Sequence, residues 1–249
     1  MLERFTDKVV FVTGAASGIG HATCIRLAEE GANIVCSDVN NVEGIVAKVK
    51  ELGRDAIGFT CDVSDEEAVV ATVKSAMEHF DKLDVLCNVA GIMRSDHTHE
   101  LAFKDWKKIL AVNVDGTFLM TRECLPHLLK RKGSNVVNIS STAALGSHPW
   151  MAAYAASKGG ILSFTRSIAV EYVKQGLRAN AICPGGIATP FHAQFKMPKG
   201  GDMDLLKGAM PFMKYAGPEH VASTIAFVAS DDARYMTGAE IRVDGGALS

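Results

Sequence analysis

The feature that most constrains this chain is the alternation of short β-branched runs with amphipathic stretches of helical period. That pattern is the signature of a parallel sheet wound with helices. Strands are expected over 8–13, 33–38, 56–61, 83–88, 135–140, 178–183 and around 240–243. Helices are expected over about 18–30, 42–52, 64–80, 104–130, 152–174 and 219–229. Ser64 with Glu67 three residues on reads as a capping box for the third helix. A Gly/Pro/Met-rich stretch over 184–218 breaks the rhythm. The expected fold is α/β, a seven-stranded parallel sheet with helices on both faces, in one domain over 1–249.

Composition supports this and removes other classes. A chain of 249 residues can bury one substantial core. With 26 Lys+Arg against 28 Asp+Glu and 48% hydrophobic residues, neither disorder nor a strongly basic nucleic-acid surface is indicated. No apolar run approaches the ~20 residues of a membrane span. Glu3, Arg4, Asp7 and Lys8 interrupt the stretch where a signal peptide would be apolar. The expectation is a cytoplasmic protein without nucleic-acid or membrane partners. Six cysteines with no CxxC pair, several in apolar segments, fit buried reduced thiols. His97-Thr98-His99, flanked by Asp96 and Glu100, is the one metal-like knot, and it reads as a solvated loop. No metal site is expected.

Thr13-Gly14-Ala15-Ala16-Ser17-Gly18-Ile19-Gly20 falls where the first strand hands over to the first helix. Glycines there let backbone approach a pyrophosphate, and a helix N-terminus offers N–H groups and positive dipole. Asp38 closes the second strand, where a carboxylate can accept from an adenosine ribose. It also repels a 2′-phosphate, and Val39, Asn40 and Asn41 carry no positive charge. NAD is therefore favoured over NADP. The blander reading of Asp38 is a cap for the next helix. A P-loop is excluded because no Gly-Lys-Ser/Thr follows, whereas a methyl-transfer enzyme stays open on this end alone.

Tyr154 and Lys158 lie four residues apart on one helical face, after a strand ending in Ser140-Ser141. A phenol, with an unperturbed pKa near ~10, is a poor base at neutral pH unless a cation favours phenolate. Lys158 is placed to do that, and Ser141 can hold a substrate oxygen beside the phenol. The trio suits proton exchange at an alcohol or carbonyl oxygen while hydride moves at carbon. Singly, Ser141 would read as a strand-end cap and Lys158 as a solvated charge.

These motifs together resemble the short-chain dehydrogenase/reductase family from end to end. Besides those above, the resemblance rests on Asp62, Asn88-Val89-Ala90-Gly91, Asn113, Pro184-Gly185 and the segment 238–246. It implies a single-domain Rossmann fold and a nicotinamide oxidoreductase with Tyr154 as acid/base. Lys158 would bind the nicotinamide ribose and lower the phenol pKa, Ser141 would orient substrate, and Asn113 would anchor a relay water with Lys158. Gly14, Ser17, Gly18, Ile19, Gly20 and Asp38 would hold the adenosine and phosphate side. Asp62 and Val63 would meet the adenine, with Asn88, Ala90 and Gly91 nearby. Pro184, Gly185, Ile187 and Thr189 would hold the nicotinamide. Val89 departs from the family's usual second Asn. The resemblance also implies a homotetramer through the long helices, which a stripe of Ile161, Phe164, Ile168 and Tyr172 would support unless it faces the sheet.

The segment over about 189–214 matches the family's mobile substrate loop. Its Phe191, Phe195, Met197, Met203, Met210, Phe212 and Met213 favour a bulky apolar alcohol or ketone, alicyclic or hydroxysteroid-like. Leu145, Trp150, Met151 and Met93 are further candidate walls, and His148 and His192 candidate polar contacts. A 3-oxoacyl-thioester (acyl-carrier-protein) reductase is the alternative enzyme, kept open by Lys130, Arg131 and Lys132. A sugar or polyol substrate follows. A NAD-binding sensor or scaffold is the non-enzyme alternative, and it would be expected to lack Ser141, Tyr154 or Lys158.

Overall fold

The structure, a computed structural model, describes residues 3–249. Its strands are β1 (Val9–Thr13), β2 (Asn33–Asp38), β3 (Ala56–Thr60), β4 (Val85–Asn88), β5 (Asn135–Ile139), β6 (Arg178–Pro184) and β7 (Glu240–Val243). Its helices are α1 (Gly18–Glu29), α2 (Glu43–Glu51), α3 (Glu66–Phe80), α4 (Phe103–Leu110), α5 (Gly116–Leu128), α6 (Ala152–Glu171) and α7 (Pro218–Ala229). All seven strands form one parallel sheet in the order β3-β2-β1-β4-β5-β6-β7.

The packing follows from central strands that are buried on both faces. Every residue of β1 is buried. Val10 and Val12 enter one core with Leu27 of α1, Ile45 of α2 and Ile225 of α7. Val9 and Phe11 enter a second with Val73 of α3, Met120 of α5 and Ile168 of α6. Side chains alternate across a strand, so such a strand needs a layer on each side, and this Rossmann sheet has both. The strand order reverses between β1 and β4. In open parallel sheets the crevice beyond the carboxyl ends at such a switch point is the ligand site.

Three local expectations are corrected. The long helix expected over 104–130 is interrupted by a π turn, Ala111–Asp115, with Asn113 at its centre. The Asn113 side chain bonds sideways to Ile92 and Ser157, partners that a regular helix would not favour equally. The third helix is capped by Asp65, which accepts from the Ala68 amide at 3.1 Å, and not by Ser64. Asp62 takes both the amide and the hydroxyl of Ser64, at 2.9 and 2.7 Å, so the cap falls one residue later. Finally, the stripe on α6 turns inward: Ile161 and Ile168 are buried, and Phe164 and Tyr172 pack against the second core. It lends no local support to a subunit contact.

All six cysteines are free and buried. Among the described residues no helix is long and apolar enough to cross a membrane.

Candidate active site

A cavity of about 650 Å³ runs along the carboxyl ends of the strands, from Gly14 after β1 and Asp38 of β2 to Ser141 after β5 and Pro184 of β6. At one end the glycine turn is built for close approach. Gly14 has φ +70°, and a Cβ there would lie 3.0 Å from the Ala90 backbone. The Thr13 hydroxyl accepts the Val89 and Ala90 amides at 3.0 and 3.1 Å, fastening this turn to the end of β4. Gly18 (φ +54°) faces Thr189 across the cavity. The Ser17 hydroxyl makes no capping bond at the head of α1. Open backbone, a spare hydroxyl and a twelve-residue helix N-terminus fit the phosphates of a dinucleotide.

Asp38 stands at the rim of this end. One carboxylate oxygen accepts the Ala16 amide at 3.0 Å, and the other accepts the Asn40 amide and side chain at 2.8 and 3.0 Å. It thus ties β2 to the glycine turn while lining the cavity, and it does not cap α2, whose N-cap is Val42. Ile19, Gly20, Asp62, Val63, Ala90, Gly91, Gly185 and Ile187 line the same space. Asn88 does not. Its amide donates to Thr121 and Asn138 at 3.0 and 2.9 Å, joining β4 to α5 and β5 behind the wall. Its β4 position turns it into the sheet–helix layer, and Val89 takes its place on the cavity.

At the other end, Ser141, Tyr154 and Lys158 meet as expected, all lining the cavity and all buried. The Lys158 ammonium donates to the Ile139 carbonyl at 2.8 Å and lies 5.6 Å from the Tyr154 ring centroid. The Ser141 oxygen accepts the Ala143 amide at 3.1 Å, which leaves its O–H to donate. Burial pushes the phenol up to about 12, against the lowering effect of the Ser141 hydrogen bond. Burial likewise brings Lys158 down to about 8. In the chain by itself burial is the leading influence on the phenol, with Ser141 opposing it and Cys183 adding to it.

Asn113 lies behind this pair, fully buried and off the cavity wall. Its amide donates to the Ile92 carbonyl and the Ser157 hydroxyl, both at 2.9 Å, and its Oδ1 accepts the Ile92 amide at 2.8 Å. Gly91 leaves the space between the two groups open: a Cβ there would sit 3.2 Å from Asn113 Oδ1 and 3.4 Å from Lys158 Nζ. The Ile139 carbonyl, Ile92 and Ser157 are supports that motif reading missed. The first two act through backbone, which side-chain patterns do not display.

The segment over 189–214 is folded onto the site. Phe191 and Phe195 pack with Met93, Ala143, Met151 and Tyr154, and the Phe191 and Tyr154 rings are 5.7 Å apart. Ser95 donates to the Lys196 carbonyl at 2.6 Å and accepts its amide at 3.1 Å, while His97 meets the Lys199 carbonyl at 3.0 Å. Trp150 is not a wall. It packs behind Phe195, centroids 6.5 Å apart, with its carbonyl held by the Asp96 amide. Leu145 likewise lies off the cavity, whereas Met93, Met151, His148 and His192 line it. Ser95→Ala should speed hydrogen exchange at 196–201 roughly fivefold while β1 to β5 stay unchanged. Unaltered exchange would mean that the loop is held elsewhere.

Residues 14–247 match a family model described as "Enoyl-(Acyl carrier protein) reductase". Glucose 1-dehydrogenase 2 of Bacillus subtilis is 38% identical over 252 residues, 99% of this chain and 96% of that protein. The 3beta-hydroxysteroid dehydrogenase of Mediterraneibacter gnavus is 38% identical over 267 residues, again 99% of this chain and 96% of that one. A solved 3-ketoacyl-(acyl-carrier-protein) reductase from Brucella melitensis, complexed with NADH, is similar with a TM-score of 0.88. It is 31% identical, and the match covers 98% of this chain and 99% of that one. Fold, site and likeness define a nicotinamide-dependent oxidoreductase acting on CH–OH groups and their ketones. The chain belongs to the short-chain dehydrogenase/reductase family.

Proposed function

We propose that the chain moves hydride between NAD and a bulky apolar secondary alcohol or its ketone. The observation that carries the substrate class is the cavity beside Ser141 and Tyr154, where Met93, Met151, Phe191, Phe195, Leu206 and Met210 make a largely apolar wall. A bound nicotinamide supplies the hydride acceptor or donor. The chain does the rest. Tyr154 exchanges a proton with the substrate oxygen, and Ser141, whose oxygen already accepts the Ala143 amide, donates to that same oxygen. Lys158 places positive charge beside the phenol, and Asn113 positions the backbone at Ile92 behind them. Gly14, Ser17, Gly18 and the head of α1 hold the phosphates, with Pro184 to Thr189 along the nicotinamide.

Asp38 supports NAD. The lining lysines, Lys108 and Lys158, belong to α4 and α6, and neither lies on the turn after β2. The test is formation of NADH and NADPH across a panel of secondary alcohols. NAD should give a kcat/KM at least about tenfold above NADP. Asp38→Ala with Val39→Arg should narrow or reverse that ratio, since Val39 lines the cavity and is 62% exposed. Equal use of both cofactors by the parent would defeat the Asp38 argument, and no reduced cofactor with any alcohol would favour a sensor or scaffold. An acyl-carrier-protein substrate has weaker support, because Arg131 is engaged by Asp84 at 3.1 Å.

The same reading carries a cytoplasmic homotetramer. Outward-facing Phe118 of α5 and Val170 of α6, 45% and 75% exposed, give the long helices an apolar outer face. Light scattering should show four chains at micromolar concentration, and a monomer would remove the assembly.

A further inference from the structure

We propose that the substrate is bifunctional: besides the reacting alcohol carbon it carries a second hydrogen-bonding group, a hydroxyl or carbonyl, received by His192 and Tyr215. This rests on the alcohol-oxidising reading above and narrows its substrate class. Both rings line the cavity that Ser141 and Tyr154 line, from the segment after β6. They meet edge to face, centroids 4.8 Å apart and planes at 84°. The bridge between Ile187 and Ala216 folds Tyr215 back onto Gly186, so closely that a Cβ there would lie 2.6 Å from its ring. His192 is fixed from the other side, its amide donating to the Thr189 hydroxyl at 3.3 Å. Its neighbour Phe191 is the ring that packs on Tyr154.

The polar atoms of this pair are open to solvent: His192 is half-buried and Tyr215 is exposed. Among the described residues, neither the His192 ring nitrogens nor the Tyr215 hydroxyl has a hydrogen-bond partner. His148, on the same cavity, differs: its nitrogens meet the Thr142 hydroxyl at 3.2 Å and the Gly146 carbonyl at 3.3 Å. A hydrocarbon alcohol filling the apolar space would strip water from His192 and Tyr215 and return no hydrogen bond. Sites with polar groups left unpaired in this way discriminate against ligands that lack the matching group. A neutral imidazole and a phenol can each donate and accept, so a hydroxyl or a carbonyl satisfies them. Tyr215 is 46% exposed, which puts the second group toward solvent, away from the buried phenol.

The test measures kcat/KM with NAD for cyclohexanol and for the isomeric cyclohexanediols, in the parent, His192→Leu and Tyr215→Phe proteins. Calorimetry follows binding of the same diols to the protein–NADH complex. At least one diol, corrected for its two equivalent hydroxyls, should exceed cyclohexanol by about tenfold. The diol-to-cyclohexanol ratio should fall roughly fivefold in each variant, and diol binding should weaken in step. A parent without diol preference, or variants that keep the ratio, overturns the inference and leaves alcohol oxidation standing. A His192→Leu protein with a raised KM for NAD and an unchanged ratio assigns that ring to the cofactor and overturns it too. No turnover of any alcohol removes the functional reading and this inference with it.

Discussion

Tyr154→Phe should lose at least about a thousandfold in turnover, within the range that positioned acid–base groups contribute, while NADH binds almost as before. The ring is buried, with Phe191 packed on it and the Lys158 ammonium 5.6 Å from its centroid. Phenylalanine keeps that packing and loses only the group that exchanges a proton. Because burial raises the phenol to about 12, the phenolate is a minor species at neutral pH. Alcohol oxidation needs the proton-accepting form, so its rate should climb as pH rises through the alkaline range. Ketone reduction needs the proton-donating form and should not climb. Retention of more than about a tenth of parental kcat would show that another group carries the proton.

Lys158→Met should also abolish turnover, yet leave the protein more stable at pH 7. The buried ammonium titrates near 8 in the folded chain against 10.5 as its ordinary value. A folded-state pKa depressed in this way means that the unfolded chain binds more protons between those values. Folding is therefore penalised fully below pH 8, and the penalty lifts as pH rises towards 10.5. A shift of that size corresponds to about 3 kcal/mol at most. Methionine removes the charge but leaves the Ile139 carbonyl without the donor at 2.8 Å, which costs about 1–2 kcal/mol in return. The net expectation is a gain of about 1–2 kcal/mol at pH 7. Tyr154 acts oppositely: its raised pKa makes stability fall between 10 and about 12. Urea unfolding of parent and variant from pH 7 to 10 tests this. The parent should gain stability above pH 8 and the variant should not, and a variant less stable than the parent at pH 7 would contradict the argument.

The parts of the site that were legible in the sequence are those whose meaning is local. The glycine turn, Asp38 at a strand end, and Tyr154 with Lys158 on one helical face each announce themselves through spacing. β2 was bounded correctly because an apolar strand ends abruptly at a polar run. What was not legible depends on partners far along the chain. The π turn is braced by Ile92 and Ser157, 21 and 44 residues from Asn113. Asn88 faces inward because Thr121 and Asn138, 33 and 50 residues away, complete its hydrogen bonds. The lysine's proximity to the phenol could be read from spacing, whereas the depth at which both are buried could not. Trp150, a candidate wall by residue type, instead has a left-handed φ of 64° and packs against Phe195.

One segment, from Val89 to His97, touches three separate parts of the site. Thr13 holds its beginning to the glycine turn, Asn113 holds Ile92, and Ser95 and His97 hold Lys196 and Lys199 of the 189–214 segment. The segment therefore links the glycine turn, the Asn113 support and the 189–214 segment along one short stretch of backbone. The 203–213 stretch is different: it supplies Met203, Leu206, Ala209 and Met210 to the cavity, and Phe212 and Met213 at its end are 86% and 71% exposed. Variation is therefore cheap there and expensive at 89–97. A laboratory selection for a new alcohol should accumulate its first useful substitutions in 203–213, and divergence among related chains should concentrate there for the same reason.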